Sequence, residues 1–394
     1  MTYRKFKADY LFTGKEMAEP DSVLITTPEG IVQAIVPAAE AGPDVVSYPG
    51  WLTPGFINCH CHLELSHMRG VLPENTGLVD FLSMVIRLRG EEPQKVAEAI
   101  AAGEQEMLAG GIVACGDICN TAGTLSVKTA GRMFYHNFIE TMGFVPAGAA
   151  SRFAQSLQVF NTFGEAYPYP LVANSIVPHA PYSVSEPLLK LTTGFPGNRL
   201  LTIHNQETEA ENDFYLTGKG DFLRLYALMG LDVSFFNGTG KRSLESILPA
   251  FYRNQSLILV HNVATQEEDL AGIPSINGPS LYFCLCPNAN LYISGRLPDV
   301  DLLVRHGAII VLGTDSLASN HELSILGEMK TLQRHWPNLD TTTLLKWATV
   351  NGARALQLES VLGDLTPGKK PGVLLLTGLE GDRLTATTAV RRLL

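Results

Sequence analysis

The chain has 394 residues, is 45% hydrophobic and 17% charged, and carries a formal net charge of −10. That composition excludes a disordered chain, and an acidic balance without a Lys/Arg run argues against nucleic acid or an anionic membrane as partner. Six cysteines fall in tight pairs, Cys59/Cys61, Cys115/Cys119 and Cys284/Cys286, which in a chain this long are not a secreted disulfide framework. With neither a leader nor a bilayer-length apolar run in view, the cytoplasm is the expected compartment.

Residues 1–51 read as short strands over 7–12, 22–26, 31–35 and 45–47, separated by turn signals such as Thr27-Pro-Glu-Gly30. Four short strands make a small β module that needs a partner segment. The C-terminal stretch 361–394 supplies one, with strands expected over 373–376 and 390–394. Between the ends, strand-like runs at 52–57, 112–115, 134–140, 171–177, 200–203, 257–260, 281–285 and 309–312 alternate with helical segments. Those helices are expected over 95–109, 151–163, 186–193, 221–229, 244–252, 266–271 and 300–305. Eight strands alternating with helices predict an α/β fold: a (β/α)8 TIM barrel over 52–360, beside a β-sandwich module built from 1–51 and 361–394. A doubly wound open sheet is the competitor, but no G-x-G-x-x-G follows the first strand. Gly110-Gly111 follows a helix and reads as its C-cap.

In such a barrel the chemistry stands at the C-terminal ends of the strands. His60 and His62, one residue apart, share a face of an extended backbone, and Cys59 and Cys61 face away. His204 and His261 follow later strands directly, and His179 stands two residues past another. So five of the ten histidines gather where the strands end. His67, His136, His306, His321 and His335 sit off this pattern and read as structural or solvated. Asp117 and Glu140 also stand at strand ends, where satisfying backbone groups explains them as well as function does. His60, His62, His204 and Asp315 can hold one divalent ion and leave a position for water, whose pKa such an ion brings to roughly 7. Glu207, three residues after a ligand, is placed to carry protons. His261 is placed either to orient the nucleophile or to stabilise a developing oxyanion. A two-metal centre would want a modified lysine on the fourth strand, and 170–178 contains none.

H-x-H at 60/62, H-x-x-E at 204/207, His261 and Thr314-Asp-Ser316 together resemble the amidohydrolase superfamily, and within it the mononuclear aminohydrolase branch. His60-Cys-His-Leu-Glu-Leu-Ser66, His179-Ala-Pro-Tyr-Ser-Val184, Cys286-Pro-Asn-Ala-Asn290 and Thr314-Asp-Ser-Leu-Ala-Ser-Asn320 are similar to the aminodeoxyfutalosine deaminases of the alternative menaquinone pathway. The His179 segment also occurs in deaminases of S-adenosylhomocysteine and methylthioadenosine, so it argues for an adenosine-like substrate. The resemblance implies one divalent ion, zinc first and iron second, and hydrolytic deamination at C6 of an adenine ring. It implies that Glu207 donates a proton to N1, Asp315 takes one from the activated water, and His261 holds the attacking oxygen. By the same resemblance His179 contacts the nucleoside, Glu64 supports that site or touches the ribose, Ser316 lies beside it, and a homodimer is the expected assembly. A carboxylated substrate needs a cation at the mouth, and Arg87 is the first candidate, with Arg89 and Arg69 behind it. Two departures stand out: Gly368-Lys-Lys-Pro-Gly372 where relatives read G-K-x-A-D-L, and Ala289 where many carry serine. The same centre also serves hydrolysis of guanine, cytosine, triazine or imidazolone bonds, and a non-catalytic metal-binding homologue is the rival outside catalysis.

Overall fold

A computed structural model describes residues 3–166, 172–273 and 278–394. Both chain ends feed one sheet. Strands β1 (Arg4–Leu11), β2 (Ser22–Thr26), β3 (Val32–Pro37) and β4 (Val45–Thr53) join the later β13 (Leu374–Thr377) and β14 (Ala389–Arg392), in the order β14-β13-β4-β1-β2-β3. The expected two-layer sandwich is therefore, among the described strands, a single six-stranded sheet. Its own small core is led by Phe6, Leu24, Leu52 and Leu375.

The expected strand over 52–57 divides in two. Leu52 and Thr53 finish β4, and the chain breaks at Pro54-Gly55, where proline has no N–H to give a ladder. It restarts as β5 (Phe56–Cys61), all six residues buried. The remaining strands are β6 (Ile112–Cys119), β7 (Phe134–Thr141), β8 (Val172–Pro178), β9 (Leu200–Asn205), β10 (Ser256–His261), β11 (Ser280–Leu285) and β12 (Ile310–Leu312). They form two four-stranded parallel sheets, β5-β6-β7-β8 and β12-β11-β10-β9. Parallel strands covered on both faces read as continuous apolar runs, which is why period-two alternation is missing from them. Backbone hydrogen bonds also pass between the two sheets. His204 N donates to His179 O at 2.9 Å on one side, and Thr314 N donates to His60 O at 3.0 Å on the other. Residues 170 and 171, at the start of the expected fourth strand, lie outside the described residues.

The helices expected over 186–193 and 300–305 are Glu186–Thr193 and Val300–Arg305, and that over 95–109 is Pro93–Ala109. Gly110 caps the last of these and Gly111 takes φ +81°, as the paired glycines imply. The segment expected as one helix over 244–252 is a short helix, Ser243–Ile247, and a 3-10 turn at Leu248–Ala250, because Pro249 cannot continue the ladder. Helices Leu78–Leu88 and Ile325–His335 were not anticipated. Among the described residues no helix is long and apolar enough to cross a membrane.

Candidate active site

Histidines from two strand ends converge with one aspartate. His60 Nε2 lies 3.2 Å from His62 Nε2, which lies 3.3 Å from His204 Nε2. Asp315 Oδ1 is 3.5 Å from His60 Nε2 and 3.4 Å from His62 Nε2. His204 Nδ1 contacts the carbonyl of His179 at 2.7 Å. A carbonyl only accepts, so Nδ1 carries the hydrogen and Nε2 presents a lone pair to the cluster. Burial pushes His62 down to about 3 and drives His204 well below the ordinary histidine range, so these rings are neutral at pH 7. Neutral imidazole nitrogens packed this closely lack protons enough to hydrogen-bond one another in full. A divalent ion resolves the conflict, because zinc–nitrogen bonds of about 2.0–2.1 Å put tetrahedral ligands roughly 3.3–3.4 Å apart. The four spacings above, 3.2–3.5 Å, agree with that. The donor set fits one metal, and His261 has a ring nitrogen within 4.8 Å of those of His60 and His204.

The surrounding chain is held in strained geometry to achieve this. Gln206, His261, Asn262 and Asp315 all have positive φ, at +46°, +77°, +61° and +56°. Such conformations cost of order 1–3 kcal/mol each and persist only where the neighbours over-determine them. Asn58 is one such neighbour. Its amide donates to Thr314 Oγ1 at 2.8 Å and its carbonyl oxygen receives Thr314 N at 3.2 Å. Ser319 Oγ donates to Asp315 Oδ2 at 2.6 Å, which leaves Oδ1 for the histidines. Gly313 is required behind His60, since a Cβ there would come within 2.8 Å of the His60 Cβ. Burial raises the Asp315 carboxyl, but the hydrogen bond with His60 leads the opposing causes, and its pKa lies below the ordinary carboxylate range.

Glu207 Oε1 lies 3.6 Å from His261 Nε2. Burial first, then the charges of Asp315 and Glu211, drive its pKa well above the ordinary carboxyl range. On the far side of His261, Nδ1 lies 2.9 Å from the Asn290 amide nitrogen.

Above this cluster opens a cavity of about 370 Å³. His62, Glu64, His179, His204, Glu207, His261, Asp315 and Ser316 line it, so the sequence-predicted groups share one space. His60 is fully buried beneath them. Arg87 does not line the cavity; it is exposed on its helix near Asp80. Arg89 does line it, and so does Arg152, which sequence reasoning missed. Neither guanidinium makes an ion pair among the described residues. Arg69 is paired with Glu106. The apolar wall comes from Leu78, Phe81 and Val85 on one helix and from Phe144, Leu225 and Tyr226. The period-3.6 run at 78, 81, 82 and 85 was the signal that could have found that first helix.

The two undecided strand-end acids divide. Asp117 satisfies backbone, accepting Leu63 N at 2.9 Å, and pairs with the buried Lys128. Glu140 faces the cavity, and burial raises its pKa to about 8. Cys61, Cys115 and Asp117 also lie within 4.8 Å of one another, but the Lys128 ammonium already compensates Asp117. His67, His136, His306 and His321 are bonded elsewhere, to Arg89 O, Ser175, Glu267 and Glu74 respectively. Among the described residues neither they nor His335 joins the metal-competent groups.

Buried imidazoles and carboxyls, crowded at parallel strand ends beneath a cavity, define an enzyme site and not a binding face. The chain belongs to the amidohydrolase family, whose model matches residues 51–390, and it is a hydrolase acting on carbon–nitrogen bonds. It is 26% identical over 367 residues to a 5-methylthioadenosine/S-adenosylhomocysteine deaminase of Teredinibacter turnerae, covering 88% of this chain and 77% of the relative. An aminodeoxyfutalosine deaminase of Nitratiruptor is also 26% identical, over 339 residues, covering 84% and 80%. Among solved structures, the aminofutalosine deaminase of Helicobacter pylori in complex with methylthio-coformycin superposes with a TM-score of 0.80 at 20% identity, covering 97% of this chain and 93% of that one.

Proposed function

We propose that the protein is a metal-dependent deaminase of 5'-substituted adenosines, replacing the 6-amino group by oxygen and releasing ammonia. The observation that carries this reading is the run of 3.2–3.5 Å separations that links His60, His62, His204 and Asp315, with Glu207 lining the same cavity. Relatives named for adenosine-type substrates support the ring that is attacked. The reading takes the two parallel sheets as halves of one eight-stranded barrel over 52–360, with the shared sheet of 1–51 and 361–394 as its companion. It places the enzyme in the cytoplasm as a homodimer.

His60, His62, His204 and Asp315 would hold one divalent ion, zinc in the first instance. When bound, the ion supplies a Lewis acid that lowers the pKa of water, giving a nucleophile at neutral pH. Asp315, ionised and anchored by Ser319, accepts the proton that the water gives up. Glu207 is kept protonated by burial and donates to N1 of the ring as C6 is attacked; a second proton through Glu207 lets the amine leave as ammonia. His261, held by Asn290 at 2.9 Å with Glu207 3.6 Å from its other nitrogen, orients the attacking oxygen. His179 and Ser316 border the nucleoside.

Arg89 and Arg152 favour a substrate whose 5' group carries a carboxylate, because an unpaired guanidinium beside an apolar wall suits such a group. That favours aminodeoxyfutalosine or S-adenosylhomocysteine over methylthioadenosine. The test is ammonia release by zinc- or iron-loaded protein from these three nucleosides, adenosine, guanine and cytosine. The reading expects the carboxylated nucleosides to show the highest kcat/KM. Turnover confined to guanine or cytosine would refute it.

A further inference from the structure

The motif that supplies Asp315 runs on to Asn320, a buried residue that the mechanism above does not use. Its amide nitrogen donates twice, to Thr314 O at 2.9 Å and to Glu328 Oε1 at 2.8 Å. Its amide oxygen accepts His321 N at 2.8 Å, so both polar atoms of the side chain are committed in one orientation. Glu328, fully buried on the helix Ile325–His335, receives Asn288 N on its other oxygen at 2.9 Å. Burial pushes this carboxyl up to about 8 against the pull of the two donors, and it keeps acceptor capacity in either protonation state. Asn320 is thereby tied to the packed helix behind it.

What Asn320 holds is the peptide joining Thr314 to Asp315. The N–H of that peptide donates to His60 O at 3.1 Å, and its carbonyl is the one bonded to Asn320. A peptide is planar and turns as a unit about the dihedrals on either side, here ψ of Thr314 and φ of Asp315. In the held orientation φ of Asp315 is +56°, a conformation that residues with a Cβ avoid. Turning the peptide would relieve it. The same turn would re-aim the Asp315 side chain away from His60 and His62, which it meets at 3.5 Å and 3.4 Å. Asn320 does not line the cavity, so its route to the chemistry is through that peptide.

We propose that Asn320, anchored on Glu328, is a positioning residue. It holds the peptide joining Thr314 to Asp315 in its strained orientation and so keeps the Asp315 carboxylate aimed at the metal-competent histidines. The proposal rests on the reading of His60, His62, His204 and Asp315 as holders of one divalent ion. Groups that orient a metal ligand from behind are worth about 10- to 100-fold in metal affinity or activity, which sets the expected effect.

The experiment measures zinc affinity of the full chain by competition with a chromogenic chelator, together with melting temperature and with kcat and KM for adenosine. Asn320→Asp keeps the volume and the acceptor for His321 N but turns an oxygen toward Thr314 O and Glu328. It is expected to weaken zinc binding by about 10- to 100-fold. At saturating zinc it is expected to lower kcat while KM stays within about threefold. Asn320→Ser, whose hydroxyl is too short to span both acceptors, is expected to share the loss and serves if the aspartate variant fails to fold. Asp340→Ala removes the cap of the helix Thr341–Lys346 and is the control for stability alone, with a lower melting temperature and unchanged zinc affinity. Wild-type zinc affinity in a folded Asn320 variant would overturn this inference while leaving the metal reading intact, and so would an equal loss of affinity in Asp340→Ala. The zinc measurement decides the matter whether or not adenosine turns over. Wild-type protein that binds no stoichiometric zinc would bring down the metal reading and this inference together.

Discussion

Replacing Glu207 by glutamine separates proton transfer from everything else the site does. The side chain keeps its volume, and it lies beyond the four donors that fit a metal. Among the described residues the Glu207 carboxylate forms no side-chain hydrogen bond and pairs with His261 at 3.6 Å. An amide there breaks no close hydrogen bond and removes the cost of burying an ionisable group. Metal content and melting temperature should therefore equal or exceed those of wild type. A positioned acid is worth about 10²–10⁴ in rate, and at 1.36 kcal/mol per tenfold the barrier should rise by about 2.7–5.4 kcal/mol. The assay is steady-state ammonia release from the best substrate, with metal measured by plasma mass spectrometry on the same preparation. A variant that keeps more than about a tenth of wild-type kcat would refute the proton-carrying role. One that loses its metal would show Glu207 to be a ligand.

Three further outcomes follow from the geometry. His60→Ala should lose both metal and turnover, since it removes a donor buried beneath the cavity; a His60→Ala protein that retains stoichiometric metal would redraw the ligand set. His136, remote from the site and bonded to Ser175, is pushed by burial to about 3. Its folded pKa lies below the unfolded value, so the unfolded chain binds the extra proton, and stability that is full above about pH 6.5 drains away as pH falls toward 3. Urea melts should show a shallower acid slope in His136→Gln, and an unchanged slope would contradict that assignment. Lys128→Met leaves Asp117 uncompensated at the end of β6, where both side chains are fully buried. The loss should be about 3–5 kcal/mol, and adding Asp117→Asn should restore part of it in the same denaturation assay.

The clustering of the strand-end histidines was legible because each follows an apolar run, and strands must end where such runs meet polar residues. The groups that tune them were less so. Arg89 lies four residues after Val85 and seven after Leu82, on the stripe that faces the cavity, whereas Arg87 lies off that stripe. Choosing between them required the helix Leu78–Leu88, whose N-terminus at Gly77 carries no capping side chain to announce it. Arg152 lies on the helix Ala149–Ala166 like any solvated residue, and nothing local marks it as cavity-lining. Glu140 was undecidable against Asp117, since both are acids at strand ends; their difference comes from Lys128, eleven residues past one of them. The single terminal sheet was hidden for another reason: pairing between β4 and β13 joins segments over three hundred residues apart, which no local pattern reports.

That pairing has a consequence in the order of synthesis. Leu374, Leu375 and Leu376 pair with Thr53, Leu52 and Trp51, and Gly55 N donates to Pro371 O at 3.0 Å, five residues before His60. On the ribosome, the strand that leads into the histidine pair waits with one edge open until Leu374–Leu376 have emerged. A chain cut short before Leu374 keeps every residue assigned to chemistry, yet carries an unpaired apolar edge at the approach to His60 and His62. Such an edge recruits other strands. Prematurely terminated copies should accordingly be found among aggregates and protease substrates, not as weakly active enzyme.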